Sequence, residues 1–282
     1  MVKDDLIVKI WGTRGSMAAP FSDRMEFGGN TSCVSVMWEN QVLIFDCGTG
    51  IRPLGAELMK RCADQELSIH IFISHMHLDH MIGLPFFPPI YKKSSIHLYG
   101  RKGDSAELKD KIRTIMGSPF WPVSVDHAGA DIEYHELSHD TITELPGGVT
   151  VHAIHANHSG DALIFRLERS GTSMVYGLDY ELDDRTETEY CDFIRSSSLL
   201  IFDGAYTPEE YPQFRGFGHS TWRRGIEAGL KSGVERICIS HHEWARTDSE
   251  LRELEKKAKS IYQCVDFARE GMEYRLGKRD EA

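Results

Sequence analysis

An α/β domain built from two strand-rich halves is the fold the sequence predicts for these 282 residues. Three observations carry that reading. Short β-branched and aromatic runs alternate with longer helix-patterned segments in both halves. No linker, low-complexity tract or shift in composition separates the halves, so residues 1–282 read as a single domain. The length also suits one large core, since single cores stop growing near roughly 250–300 residues.

Strand patterns open the chain at residues 6–10, 33–38, 42–45 and 69–73. Glu39-Asn40 between the second and third is a tight-turn pair, which makes those two strands a hairpin. A helical stretch over 52–63 leads to the fourth strand, and that strand runs into a polar loop rich in histidine. Residues 104–118 combine Ser and Asp start signals with apolar positions at 108, 112, 115 and 116, predicting a surface helix. Pro119, Pro122 and the Gly147-Gly148 turn bound further segments. Strands resume over 149–154, 163–167 and 173–176. The apolar run 199–202, a helix over 221–232, a strand over 236–240 and a helix over 248–262 complete the order. Thr247-Asp248 opens the last helix in the manner of a capping box. Its Lys256, Lys257 and Lys259 read as a solvated face paired with nearby Glu, not as a nucleic-acid patch.

Lys and Arg total 32 against 43 Asp and Glu, a formal net charge of −11. That balance argues against holding a long polyanion by generic phosphate attraction, although a small anionic substrate drawn to a metal is compatible with it. No apolar run reaches the 18 or so residues needed to span a bilayer, and the N-terminus lacks a signal-peptide layout. Six scattered cysteines without a C-x-x-C pair fit reduced thiols, so the expected location is cytoplasmic.

Among 14 histidines, the densest grouping is Ser74-His75-Met76-His77-Leu78-Asp79-His80, directly after an apolar strand. In an extended segment His75 and His77 point to one side, and a turn at Leu78 lets Asp79 and His80 address a second point nearby. Four ligand-type side chains held by a strand end in this way suit metal binding.

That run resembles the signature of the metallo-β-lactamase-fold hydrolases, and further segments match in the family's order over about residues 6–262. The resemblance implies a four-layer αβ/βα sandwich with the metal site at the edge between two sheets. Asp46, in Phe45-Asp-Cys-Gly, resembles the acidic residue that supports the metal loop. His158 in Asn157-His-Ser-Gly, Asp179 in Gly177-Leu-Asp-Tyr and His241 in Ser240-His-His resemble the remaining ligands. The resemblance thus implies two divalent ions, one on His75, His77 and His158 and the other on Asp79, His80 and His241, with Asp179 bridging. Imidazole and carboxylate ligands suit Zn²⁺ first, then Mn²⁺ or Fe. Two such ions would lower the pKa of a water held between them and polarise a substrate oxygen, which implies hydrolysis. Asp79 then belongs to the catalytic centre as well as to the ligands. His242 competes with His241 for the last position and is the less favoured. His155 could line the site but is expected not to ligate, and His70, His97, His127, His135, His139 and His152 are expected to be packing or surface residues.

Gly218-His219-Ser-Thr resembles the His-Ser-Thr motif of the ribonuclease Z and cyclic-nucleotide phosphodiesterase branch. The resemblance makes His219 a phosphate contact and general acid, whereas the plainer role would be a helix cap. Gly12-Thr-Arg-Gly-Ser and Gly28-Gly-Asn-Thr-Ser also resemble this branch; they read as turns, with Arg14 a weaker candidate for phosphate contact. The segment Gly83-Leu-Pro-Phe-Phe-Pro-Pro is either a pocket wall or core. The implied function is hydrolysis of a small phosphodiester, a cyclic nucleotide before a tRNA 3′ end, because no basic glycine- and proline-rich arm is evident. Thioester, lactone or lactam hydrolysis on the same metals is the alternative chemistry, and a ligand sensor on an inactive scaffold the non-enzymatic one. Relatives in this branch are often dimeric, which implies a possible homodimer; no membrane partner is expected.

Overall fold

The computed structural model describes residues 5–61, 68–103, 106–160 and 162–277. In chain order its elements are β1 (Leu6–Gly12), β2 (Cys33–Trp38), β3 (Gln41–Phe45), α1 (Ile51–Arg61), β4 (Ser68–Phe72), α2 (Leu78–Met81), β5 (Ser95–Arg101), α3 (Leu108–Ile115), β6 (Asp131–Leu137) and β7 (Thr141–Leu145). They continue as β8 (Val149–His155), β9 (Leu163–Arg169), β10 (Thr172–Gly177), α4 (Glu187–Phe193), β11 (Leu199–Asp203), α5 (Tyr211–Phe214), α6 (Trp222–Lys231), β12 (Ile237–Ser240), α7 (Asp248–Ile261), β13 (Val265–Phe267) and β14 (Glu273–Leu276).

Two seven-stranded sheets result, ordered β14-β1-β2-β3-β4-β5-β6 and β13-β12-β11-β10-β9-β8-β7. Each is antiparallel in one half and parallel in the other: β3 through β6 run parallel in the first sheet and β10 through β13 in the second. The apolar faces of the two sheets meet in a core that includes Val36, Phe45, Phe72, Phe165, Leu167 and Tyr176. On the outer face of the first sheet, α1 and α3 bury Leu54, Leu58, Leu108 and Ile112. On the outer face of the second, α4, α6 and α7 bury Tyr190, Ile226, Leu251 and Ala258. Strands with two covered faces are mostly apolar, and β2, β10 and β11 are buried at every position. This is the αβ/βα sandwich that the resemblance implied. β14 returns from the second sheet to pair with β1, matching Leu6 with Leu276, so the end of the described chain ties the two sheets together.

Several expectations need adjusting. The helix expected over 104–118 is limited to Leu108–Ile115, and Asp104 and Ser105 lie outside the described residues, as do Cys62 and Ala63 of the 52–63 helix. The 33–38 and 42–45 strands do form a hairpin, Trp38 pairing with Gln41 while Glu39 takes the left-handed φ of 50° that a tight turn requires. No sequence pattern announces α2, β5, β6, β7, α4, α5, β13 or β14. β6 is an edge strand with polar residues on both faces, β13 has three residues and α5 four, so none carries a clear period. No described helix is long and apolar enough to cross a membrane.

α7 is joined to β13 by a buried charge network. Glu255 accepts hydrogen bonds from Arg269 Nη1 at 3.1 Å, Arg269 Nη2 at 2.8 Å and the Phe267 N–H at 3.1 Å. Lys259, one turn on, also reaches it at 3.3 Å, which accounts for part of the basic run on this helix. Burial alone would raise the Glu255 pKa, but these donors hold the carboxyl down to about 2. The stability this contributes is present above the ordinary carboxyl range near 4.5 and is lost as pH falls toward 2. Glu255→Gln is therefore expected to lower stability at pH 7 by about 1–3 kcal/mol, and the gap from wild type should close on acidification below pH ~4, as read by denaturant titration.

Candidate metal centre

The sequence-predicted metal ligands, with Asp46 and His219, sit at one edge of the sandwich, on loops leaving the C-terminal ends of β3, β4, β8, β10, β11 and β12. Parallel strands place such ends side by side, which is how residues far apart in sequence converge. After β4 the chain stays extended through His75, Met76 and His77, whose φ and ψ are −62° and 149°, and then enters α2 at Leu78. The change from strand to helix sends Asp79 and His80 away from His75 and His77, as the H-x-H-x-D-H spacing predicted.

His75, His77 and His158 make one cluster and Asp79, His80, Asp179 and His241 a second; Asp179 and His241 also group with Asp203 and His219. His158 Nε2 lies 3.2 Å from His77 Nδ1. Asp179 faces both clusters. Its Oδ1 is 3.8 Å from His75 Nε2 and 3.7 Å from His158 Nε2, and its Oδ2 is 3.0 Å from His80 Nε2 and 3.3 Å from His241 Nε2. Asp79 Oδ2 closes the second cluster at 3.1 Å from His80 Nε2 and 3.3 Å from His241 Nε2. Asp46, Asp179 and His241 take left-handed φ angles of 62°, 54° and 58° immediately after their strands. Non-glycine residues hold that conformation only where the surroundings enforce it.

Asp46 lies outside the ligand groups and hydrogen-bonds residues within and beside them. Its Oδ2 accepts from His80 Nδ1 at 2.6 Å, Ser74 Oγ at 2.8 Å and Tyr176 OH at 2.7 Å, while its Oδ1 accepts from the Ser74 N–H at 2.7 Å. Since the Ser74 hydroxyl donates to Asp46, it accepts from His75 Nδ1 at 3.0 Å. His158 Nδ1 donates to the Gly218 carbonyl at 2.9 Å. In His75, His80 and His158, then, Nδ1 carries the proton and Nε2 turns its lone pair inward. Asp46→Asn should keep the fold and weaken metal binding about 10–100-fold, measured by competition with a chromophoric chelator; unchanged affinity would remove Asp46 from the support of His80.

Those inward atoms are what fits the site to metal ions. His75 Nε2, His80 Nε2 and Asp179 Oδ2 are buried and lack any hydrogen-bond partner. Buried polar atoms without partners are costly, and lone pairs of neutral imidazole and carboxylate at 3.0–3.3 Å repel unless a cation lies among them. Burial pushes His75, His77 and His158 below the ordinary imidazole range, toward the neutral form that ligates. Burial opposes charge on Asp79 and Asp179 too, yet His80 and His241 hold both carboxyls well below their usual range and are themselves raised by them. Without a metal ion these pairs share protons, and a divalent cation would replace those protons. Imidazole and carboxylate in this number suit Zn²⁺, Mn²⁺ or Fe.

Beside the clusters, His219 stacks on His241 with centroids 5.0 Å apart and its Nδ1 meets Asp203 Oδ2 at 2.8 Å. Burial disfavours the imidazolium, but Asp203 pushes its pKa up to about 9. Asp203 also accepts from the backbone N–H groups of Asp179 and Ala205, at 3.1 Å each. The sequence reading did not name Asp203, although its position ending an apolar strand, like Asp46, was a usable signal. The helix-cap role for His219 is excluded, because Thr221 caps α6 and Ser220 Oγ bonds to Tyr180 and Leu182.

The other candidates separate clearly. Arg14 does not face the site: it is fully buried and donates to the carbonyls of Gly28, Arg24 and Arg246. The loop it anchors contributes differently. The Ser16 N–H donates to Asp79 Oδ2 at 2.8 Å, and a Cβ on Gly15 would come within 2.4 Å of the His241 ring. His242 packs between Phe27 and Phe267 and bonds the Ala268 carbonyl, so His241 is the histidine at the centre. His155 is exposed against His139 and stands apart from both clusters. Of the segment 83–89, Leu84 and Phe87 are core residues on the outer face of the first sheet, and Phe86 rests on Trp121.

A cleft of ≈ 470 Å³ opens beside the clusters, with His219 and His241 in its lining. Its walls include Tyr206, Phe214, Phe217 and Trp244, the last two exposed, and Tyr206 and Phe214 already stack at 4.6 Å.

Two His/Asp clusters at the edge of an αβ/βα sandwich define a metal-dependent hydrolase. Residues 41–242 match the family model described as Beta-lactamase superfamily domain, and the chain belongs to that family. A ribonuclease Z of Gemmatimonas aurantiaca is 24% identical over 327 aligned positions, covering 98% of each chain. Among solved structures, the metallo-β-lactamase fold protein YhfI of Bacillus subtilis superposes with a TM-score of 0.73 at 17% identity, over 97% of this chain and 100% of that one. Human tRNase Z, short form, superposes with a TM-score of 0.67 at 19% identity, over 95% and 98%.

Proposed function

We propose that this hydrolase cleaves phosphodiesters in a nucleotide substrate, with a precursor-RNA 3′ end as the first substrate class. The observation that carries the reading is the His219–Asp203 pair, set beside the Asp179 clusters and lining the aromatic cleft. His75, His77 and His158 would hold one divalent ion and Asp79, His80 and His241 the other, with Asp179 within reach of both groups. Such ions would supply an activated water and offset charge on the phosphoryl oxygens. The chain's own groups do the rest. His219 Nδ1–H donates a hydrogen bond to Asp203, which leaves Nε2–H to face a substrate in the cleft. That N–H contacts a nonbridging oxygen and gives its proton to the departing alkoxide, while Asp203 balances the imidazolium beforehand. Phe217 and Trp244, the exposed aromatics of the cleft, offer faces on which bases can stack, at about 1–3 kcal/mol each.

The curated relatives favour RNA over the smaller substrate expected from the sequence, since the matched proteins are ribonucleases Z. A cyclic nucleotide stays as a second reading on two specific observations. The net charge is −11, and the Gemmatimonas alignment runs over 327 positions against 282 residues here, so at least 45 positions have no counterpart in this chain. Incubating metal-loaded protein with a precursor tRNA, cAMP, cGMP and pyrimidine cyclic nucleotides side by side separates the two. Release of a discrete 3′ trailer with no cyclic-nucleotide turnover supports the first reading, and the reverse pattern replaces it with the second.

A further inference from the structure

Away from the catalytic edge, β5 and the edge strand β6 bring His97, Glu133 and His135 together. His97 Nδ1 is 3.2 Å from Glu133 Oε2 and 3.3 Å from His135 Nε2, and His135 Nε2 is 3.6 Å from the same carboxylate oxygen. Ligands about 2.0–2.1 Å from a tetrahedral Zn²⁺ lie about 3.3–3.4 Å from one another, so these three atoms already describe one face of such a polyhedron. The rings are held in place before any ion arrives. His97 stacks on His70 at 4.8 Å and 11°, and His135 stacks on Tyr99 at 4.5 Å and 14°. Ser95 Oγ lies 3.4 Å from His97 Nε2, so the tautomer protonated at Nε2 has a hydrogen-bond acceptor there and turns its Nδ1 lone pair toward Glu133 and His135. Burial and the neighbouring His97 both push His135 below the ordinary imidazole range, favouring the neutral, ligating form. Glu133 is largely exposed, giving an ion a path from solvent, and none of the three residues belongs to the catalytic clusters.

We propose that His97, Glu133 and His135 form a third metal site, selective for a divalent transition metal such as Zn²⁺, with the remaining coordination open to water. An ion there cross-links the exposed edge strand β6 to β5 and stabilises the fold by mass action.

The test is the metal content of wild type, His97→Ala and Glu133→Gln after equilibrium dialysis against free Zn²⁺ in excess, measured by mass spectrometry with thermal unfolding alongside. Wild type should hold one equivalent more than either variant, and added Zn²⁺ should raise its Tm further than theirs. Equal contents in all three proteins overturn the proposal. Glu133→Gln replaces an exposed side chain with one of the same shape, so it carries the test if His97→Ala fails to fold. Because the result is a difference of one equivalent, it holds whatever number of ions the catalytic clusters bind.

Discussion

His77→Ala is expected to lose metal and activity together, with kcat/KM falling at least roughly a thousandfold, equivalent to about 4 kcal/mol. Its Nδ1 lies 3.2 Å from His158 Nε2, and it precedes α2, the turn that carries Asp79 and His80. Alanine leaves the backbone course intact but reduces the three-histidine cluster to His75 and His158, with only Asp179 Oδ1 to complete the set. Neither remaining histidine can move to compensate, since Ser74 and the Gly218 carbonyl fix their rings. Metal analysis and turnover should therefore fall in parallel. A variant that keeps full metal content and full turnover would place the reaction elsewhere.

His219→Ala should behave differently, keeping the metal content of wild type while kcat falls about 10²–10³-fold, within the usual range for a general acid. His219 stacks on His241 but shares no hydrogen bond with it, and its own partner, Asp203, is also held by the N–H groups of Asp179 and Ala205. The shell around the metals thus survives its removal. Loss should be smaller for a substrate whose leaving group is a good one, because a stable leaving anion needs little help from a proton. Steady-state rates for bis-p-nitrophenyl phosphate and for a nucleotide ester, compared in the same variant, give that contrast; equal losses would make His219 a binding group only.

Much of this arrangement was legible in the sequence because its signals were local. The H-x-H-x-D-H run after a strand announced the centre, and Asp46, His158, Asp179 and His241 followed from their resemblance to the family's motifs rather than from a signal of their own. What escaped was tertiary. Nothing in the spacing of Gly12-Thr-Arg-Gly-Ser showed that the Arg14 guanidinium would turn inward to backbone carbonyls while the Ser16 N–H reached Asp79. Asp203 gains its role only when β11 lies beside β10 and β12, and His97 and His135 looked like scattered surface residues until β5 and β6 paired. The aromatic cleft likewise draws on α5 and the 243–246 loop, short segments with no period to read.

The central claim is that two metal clusters and the His219–Asp203 pair hydrolyse a phosphodiester. Release of p-nitrophenol from bis-p-nitrophenyl phosphate by metal-loaded protein tests it most directly, with thioester and lactone substrates run in parallel. The account predicts steady turnover of the phosphodiester that disappears on chelation and returns with Zn²⁺ or Mn²⁺. No phosphodiester turnover, together with hydrolysis of the thioester or lactone, would contradict it.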